Sequence, residues 1–229
     1  MKKSLFLYLF LFSILKSIAQ IQPAIQENQI FRIWDFSQLN NEDNLVKGSQ
    51  YLEEKFLIAK ISSVQNSLFE SRYNAFKDEM EVKDKDDLLL LNKFDGLTVI
   101  FTATNKTYEC KKIIYKEKEH LGFLNKLTNN LNVNLYSKEV ITFVPKKIAS
   151  SSYNSDIDAH YKKDSNVYFL QVGNSIIEMP TKKNNFVKEF TEQKESLENY
   201  FKTNDFKVKD EMSIINLINF IDSKITIQH

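Results

Sequence analysis

The sequence predicts an α+β protein: an antiparallel β-rich body, either a sandwich or a roll, followed by a C-terminal bundle of about three short helices. Three observations carry this. Between Gly48 and Met179, short runs of β-branched and aromatic residues alternate with polar ones and are punctuated by Asn, Asp and Gly, as in successive half-buried strands. After Pro180 the apolar spacing changes to i, i+3, i+4, the spacing of one helix face. The chain has only four Gly and three Pro in 229 residues, too few for collagen-like or linker-rich architectures.

Residues 1–20 have the features of a secretory signal peptide. Lys2 and Lys3 supply a basic start, Leu5 to Leu15 an apolar run, and Ser17-Ile18-Ala19 ends in small residues before Gln20. Cleavage is expected after Ala19 or Gln20. The run is too short for a stable membrane span, and no Cys lies near the cleavage site to carry a lipid. The expected location is therefore periplasmic or extracellular, with no transmembrane span once the signal is removed; an uncleaved N-terminal anchor is the alternative. With Lys2, Lys3 and Lys16 gone, the 31 basic residues fall to 28 against 30 acidic ones, a balance of −2. Such a mixed, near-neutral surface has no electrostatic footprint for nucleic acid. About 209 residues remain, enough to bury a proper core.

Residues 21–47 form an N-terminal docking segment, with Ile30 to Phe36 as a short strand and Asn40 to Asn44 as a polar break. Trp34, the only Trp, is read as a docking residue before a ligand platform.

Residues 48–179 are the antiparallel β domain. Phe56 to Ile61 is its first regular strand. Leu68 to Tyr73 and Glu79 to Lys83 form a hairpin over Asn74 to Asp78, residues that tolerate turn geometry. Asp84 to Asp87 is a charged turn lacking the glycine and final Glu of a calcium loop. Leu88 to Leu91 is apolar. Leu97 to Thr102 and Thr107 to Ile114 pair over Ala103 to Lys106. Gly122 to Leu127 and Val133 to Phe143 pair over Asn129-Asn130. Lys146 to Ser155 is a Ser-rich loop, and Val167 to Val172 and Ser175 to Met179 pair over Gly173-Asn174.

Residues 180–229 are a helical segment packed on the sheet. Thr181, Thr191 and Asp210 are the expected caps. The three apolar stripes are Phe186, Val187 and Phe190; Leu197, Tyr200 and Phe201; and Ile214, Leu217, Ile218 and Ile221. Each stripe needs a partner surface.

The strings Gly48-Ser49-Gln50-Tyr51-Leu52 and Arg72-Tyr73-Asn74-Ala75-Phe76-Lys77-Asp78-Glu79-Met80-Glu81-Val82 resemble the signature of an uncharacterised family of secreted proteins of the Bacteroidota. Val167-Tyr168-Phe169-Leu170, Lys182-Lys183 and the helical tail are similar as well. The resemblance implies secretion and the β-rich fold; it implies no activity and no catalytic residues. The chain departs from that pattern in its long segment before Gly48 and in the Asn-rich stretch from Asn125 to Asn134.

The candidate ligand-binding residues are Arg72, Asn74, Asp78 and Glu79, a polar cluster at the end of the first hairpin. The competing reading is a tight turn with Arg72 facing Glu79 or Glu81 in a solvated ion pair worth a few tenths of a kcal/mol. No catalytic residue, metal site or cofactor is assigned. There is no glycine-rich phosphate loop, zinc-binding His-Glu-x-x-His or Gly-x-Ser-x-Gly elbow. Asp156, Asp158 and His160 have ligand chemistry at close spacing, but a polar loop is the simpler reading. Cys110, the only cysteine, forms no internal disulfide and is read as a small core residue rather than as a nucleophile served by His120 or His160.

The function expected from these features is an exported, non-catalytic cell-envelope protein that binds a protein partner or a ligand. The alternatives are a periplasmic hydrolase with carboxylates assembled from distant strands, and a structural or adhesive surface protein. The oligomeric state is not legible.

Overall fold

The computed structural model describes residues 30–33, 46–64, 67–85, 87–149 and 155–225. The signal peptide, Trp34, the Asn40 to Asn44 break and residues 150–154 of the Ser-rich loop lie outside the described residues. Thirteen strands are described: β1 Phe31–Ile33, β2 Leu57–Ile61, β3 Leu68–Asn74, β4 Glu79–Asp84, β5 Asp87–Leu91, β6 Thr98–Phe101, β7 Thr107–Tyr115, β8 Lys118–Lys126, β9 Val133–Lys138, β10 Ile141–Val144, β11 His160–Lys163, β12 Val167–Val172 and β13 Ser175–Glu178. Eleven of them form one antiparallel sheet in the order β1-β5-β4-β3-β2-β6-β7-β8-β9-β12-β13, and β10 pairs with β11 separately. β13 also lies against β7 without pairing to it, so the far end of the sheet rolls back on itself.

The two-residue alternation places different cores on the two faces. Toward β1–β8, Ala59, Ile61, Tyr73, Met80, Val82, Val99, Phe101, Tyr108, Cys110 and Phe123 share one apolar cluster. Residues of opposite parity on β7 and β8, Ile113 and Leu124, join Tyr136 and Phe169 inside the rolled end. On the outside of that end, Val133, Leu135 and Leu170 meet the helices. The register explains the division, because Leu170 pairs with Leu135 and Phe169 with Tyr136, so adjacent pairs point to opposite faces.

Three helices and a short 3-10 turn follow: α1 Lys183–Glu189, the 3-10 turn Thr191–Gln193, α2 Lys194–Thr203 and α3 Glu211–Lys224. Phe186, Leu197, Ile214, Leu217, Ile218 and Ile221 are all buried and join Val133, Leu135 and Leu170 in one apolar cluster. The caps differ from expectation. α1 starts after Lys182 rather than Thr181, Thr191 opens the 3-10 turn, and Asp210 holds the cap position of α3 without a side-chain hydrogen bond. At the opposite end of α3, Asp222 accepts the backbone N–H groups of Asn132 and Val133 at 2.7 and 2.9 Å. The Asn-rich stretch is thereby clamped, and Asn134 closes its own turn through both backbone groups of Asn130.

The expected strand from Val133 to Phe143 is broken. β9 stops at Lys138, and β10 leaves for the two-stranded sheet. Lys138 and Glu139 are each about 6% exposed at the break, and each is used inside the protein. Residues 46–56 are an irregular strap held by single bridges to β11 and to Asn74. Gly48, at φ +83°, is required there: a Cβ would stand 2.5 Å from the Tyr161 carbonyl oxygen.

Candidate functional site

The β3–β4 hairpin pairs Arg72 with Glu81, Tyr73 with Met80 and Asn74 with Glu79. Arg72, Asn74, Glu79 and Glu81 therefore share the face turned away from the Tyr73–Met80 core. The strap covers part of that face. Glu81 is fully buried and accepts from Arg72 Nε at 2.7 Å, from the Tyr51 hydroxyl at 2.8 Å and from Asn74 Nδ2 at 3.1 Å. The Arg72 guanidinium also donates to the Glu54 carbonyl and lies 3.8 Å from the centre of the Tyr51 ring and 4.3 Å from that of Phe56. Burial, reinforced by Glu81, pushes the Tyr51 phenol up. This corrects the solvated-pair reading: Arg72 serves a buried carboxylate. Glu79 is elsewhere, paired with Arg32 of β1. The four predicted residues are thus not one cluster; Arg72 and Asn74 meet on Glu81, whereas Asp78 and Glu79 each go their own way.

Asp78 anchors a second cluster. It ends the hairpin turn at φ 57°, and its side chain crosses to β8. Oδ1 accepts from the Tyr73 hydroxyl at 2.7 Å and from the Phe123 backbone N–H at 3.1 Å. Oδ2 meets Lys93 Nζ at 2.9 Å and Lys138 Nζ at 3.0 Å. Gly122 makes room for this group: a Cβ there would stand 3.3 Å from Asp78 Oδ2, 3.5 Å from Lys138 Nζ and 3.2 Å from Ile113. A glycine inside a strand commonly marks such a close approach.

The charges of this cluster do not balance. One carboxylate faces two ammonium groups, and the Lys138 side chain is 7% exposed. Its Nζ is closed off from solvent and stands 3.0 Å from Asp78 Oδ2, its ion-pair partner. Desolvation outweighs the pull of Asp78 and lowers the Lys138 pKa. Tyr73 is shifted the other way, its phenol raised well above 10 by burial first and by Asp78 second.

Lys93 and Lys138 both line a cleft of about 590 Å³ between the hairpin turn, the β7–β8 hairpin and β10, with the Lys138 Nζ itself closed off from solvent. Lys77 and Lys116 also line it, and among the described residues Asp78 is its one acidic lining residue. Phe76, Tyr115, His120 and Phe143 form aromatic walls. The rings of Phe76 and Phe143 each lie against the Tyr161 ring, at 5.1 and 5.5 Å between centroids.

A third polar group lies deeper. Glu139 accepts from the Tyr108 hydroxyl and from Lys106, beside a cavity of about 180 Å³ lined by Arg72, Tyr73, Phe101 and Tyr108. Tyr73 and Tyr108 stack at 4.8 Å, which joins this group to the Asp78 cluster.

The remaining candidates resolve simply. Cys110 is buried, and burial pushes its thiol up to about 11, which suits a core residue. Asp158 pairs with Lys47, Asp156 accepts the Ala149 N–H, and His160 faces the Asp158 carbonyl. Among the described residues no group of three His, Cys, Asp or Glu side chains is placed to hold a metal ion, and no helix is long and apolar enough to cross a membrane.

Lys93, Lys138, Glu81 and Tyr51 were not among the predicted site residues. Two signals pointed their way: Gly122, one of only four glycines, inside a strand-like run, and the adjacent charges Lys138-Glu139 in an otherwise apolar one. No protein-family model, curated protein or solved structure matches this chain.

Proposed function

We propose that this is an exported, non-catalytic protein of the cell envelope that binds a small ligand in the cleft above Asp78. The observation that carries the reading is a preformed cleft lined by the Asp78–Lys93 ion pair and by aromatic side chains. Ligand sites are commonly concavities of roughly 300–1,000 Å³ with apolar walls and a few convergent polar groups, and this cleft has that make-up. Export rests on the N-terminal Lys-rich start and apolar run and on the resemblance to secreted proteins. The non-catalytic part is supported by the internal engagement of the buried Glu81 and Glu139 and the half-buried Asp78, each of which accepts from at least two protein donors. Such groups are committed to structure more than to proton transfer.

Glu139 beside its small cavity is the one feature that favours a hydrolase. The test separates the two. The protein recovered from the envelope fraction should carry a small molecule by native mass spectrometry, and that molecule should return unchanged after incubation. Conversion of the molecule, abolished by Glu139→Gln, would make the protein an enzyme. Recovery of a stoichiometric protein with the cleft empty would move binding to a sheet edge such as β13, where strand addition is the natural mode.

A further inference from the structure

We infer that the cavity between the strap and Glu139 is a second binding site, which takes a small uncharged aromatic molecule: a single ring of the size of phenol. It shares no lining residue with the cleft above Asp78, so the inference does not depend on that cleft.

Size and walls give the ring. The cavity has a volume of about 180 Å³, and an apolar space of about 150 Å³ is enough to admit benzene. Leu52 of the strap, Leu57 of β2 and the rings of Tyr73, Phe101 and Tyr108 line it. Each ring is held in place. Tyr73 donates to Asp78 and Tyr108 to Glu139. The Tyr108 ring lies 4.8 Å from that of Tyr73 and meets Phe101 edge-on at 5.8 Å. Walls fixed in this way keep the ordering cost of binding low, and ring faces and edges favour an aromatic guest.

The charge of the ligand follows from an independent observation. Arg72, Lys106 and Glu139 also line the cavity, and each is matched within the protein. Arg72 is engaged by Glu81, the Glu54 carbonyl and the Tyr51 hydroxyl. Lys106 and Glu139 pair with each other, and Tyr108 gives Glu139 its second donor. An ion entering this space would shed its water and find each of these three groups already paired, whereas an uncharged ring gains by leaving water. A carboxylate accepts more than two hydrogen bonds, so Glu139 can also receive one hydroxyl carried by the ring.

Titration of the purified protein with phenol, benzoate, benzylamine and naphthol tests this, followed by calorimetry and by NMR of the Phe101 and Tyr108 resonances, with His120 and Phe143 reporting on the cleft. Phenol should bind at least about tenfold more tightly than benzoate or benzylamine, because a desolvated charge without a counter-ion sets the difference. It should also bind at least about tenfold more tightly than naphthol, whose second ring overfills the space. Leu52→Trp fills the cavity and should abolish phenol binding; if that variant fails to fold, Thr104→Trp closes the same space from an exposed turn. Lys106→Met leaves Glu139 without its counter-ion and should tighten benzylamine about tenfold, a change that an apolar hole alone would not show. Benzoate binding as tightly as phenol at Phe101 and Tyr108 would overturn the uncharged assignment, and naphthol doing so would overturn the single ring. Phenol binding unchanged in the filled variants, shifts confined to His120 and Phe143, or no shift with any probe would each overturn the site itself.

Discussion

The Glu81 and Asp78 clusters belong to the same hairpin, one on the strands and one at the turn, and use the same kinds of side chain, but they are completed differently. Around Glu81 the charges cancel: one guanidinium meets one carboxylate, and a phenol and an amide complete its acceptor sites. Around Asp78 two lysines share one oxygen, and the more buried one has no access to water. A satisfied buried network fixes a structure, whereas an excess buried charge costs stability unless something else is stabilised by it. The first cluster holds the hairpin under the strap; the second lines the cleft proposed above as a ligand site.

The largest effect that sharpens this contrast is expected at Glu81. Glu81→Ala strands Arg72, Tyr51 and Asn74 together and should destabilise the protein by about 4 kcal/mol in denaturant unfolding, as for other broken buried pairs. An unchanged unfolding midpoint would show that the two clusters do not differ as described. A smaller loss, about 1 kcal/mol, is expected for Tyr73→Phe, which removes one hydrogen bond to Asp78 and keeps the ring packed; thermal melts would measure it.

Lys138→Met should cost almost nothing at neutral pH and by the same logic can stabilise, by up to about 1 kcal/mol. Its sign changes with pH in a defined way. The folded pKa of Lys138 lies below its ordinary 10.5, so between the two values the unfolded chain binds more protons than the folded one, and stability gains from this group as pH rises. The parent protein should show that alkaline gain and the Met variant should lack it; parallel pH profiles for the two proteins would refute the desolvated-lysine description.

The smallest effect has no consequence at neutral pH. Burial raises the phenols of Tyr51, Tyr73, Tyr108 and Tyr136 above 10. Above pH 10 the unfolded chain releases protons that the folded one keeps, so these groups make stability fall as pH rises. Phenolate absorbance should show these four ionising only in step with unfolding. Early, independent ionisation of four phenols would mean that the clusters are open to water.

Several pieces of the fold were legible because one local signal sufficed. Gly173-Asn174 marked the β12–β13 turn, and Gly173 is at φ 56°. Asn105 marked the β6–β7 turn at φ 54°. The Ile214, Leu217, Ile218 and Ile221 spacing described α3, because one helix face has one fate. The β7–β8 hairpin was harder. Its turn is Lys116-Glu117, both at positive φ, a conformation that neither residue type advertises, and it is held by the long pairing of the strands on either side. The site was legible only in part. Arg72 was placed opposite Glu79 or Glu81, and Glu81 is its partner, but nothing local marks Glu81 as buried, because the strap that covers it comes from residues 46–56.

The sequence by itself determined the α+β class, the strand-rich body, the apolar helix stripes and the aromatic hairpin, since each depends on neighbours within a few positions and on the two- and 3.6-residue periods of the backbone. Only the tertiary structure decided that the far end of the sheet rolls back, that Lys138 and Glu139 turn inward at a broken strand, and that Asp78 reaches Lys93, Phe123 and Lys138 across 15 to 60 positions of chain. Those contacts depend on which strands lie side by side. A charged residue carries no mark of whether its counter-ion will be water or another part of the chain; burial makes that choice, and burial is a property of the assembled sheet.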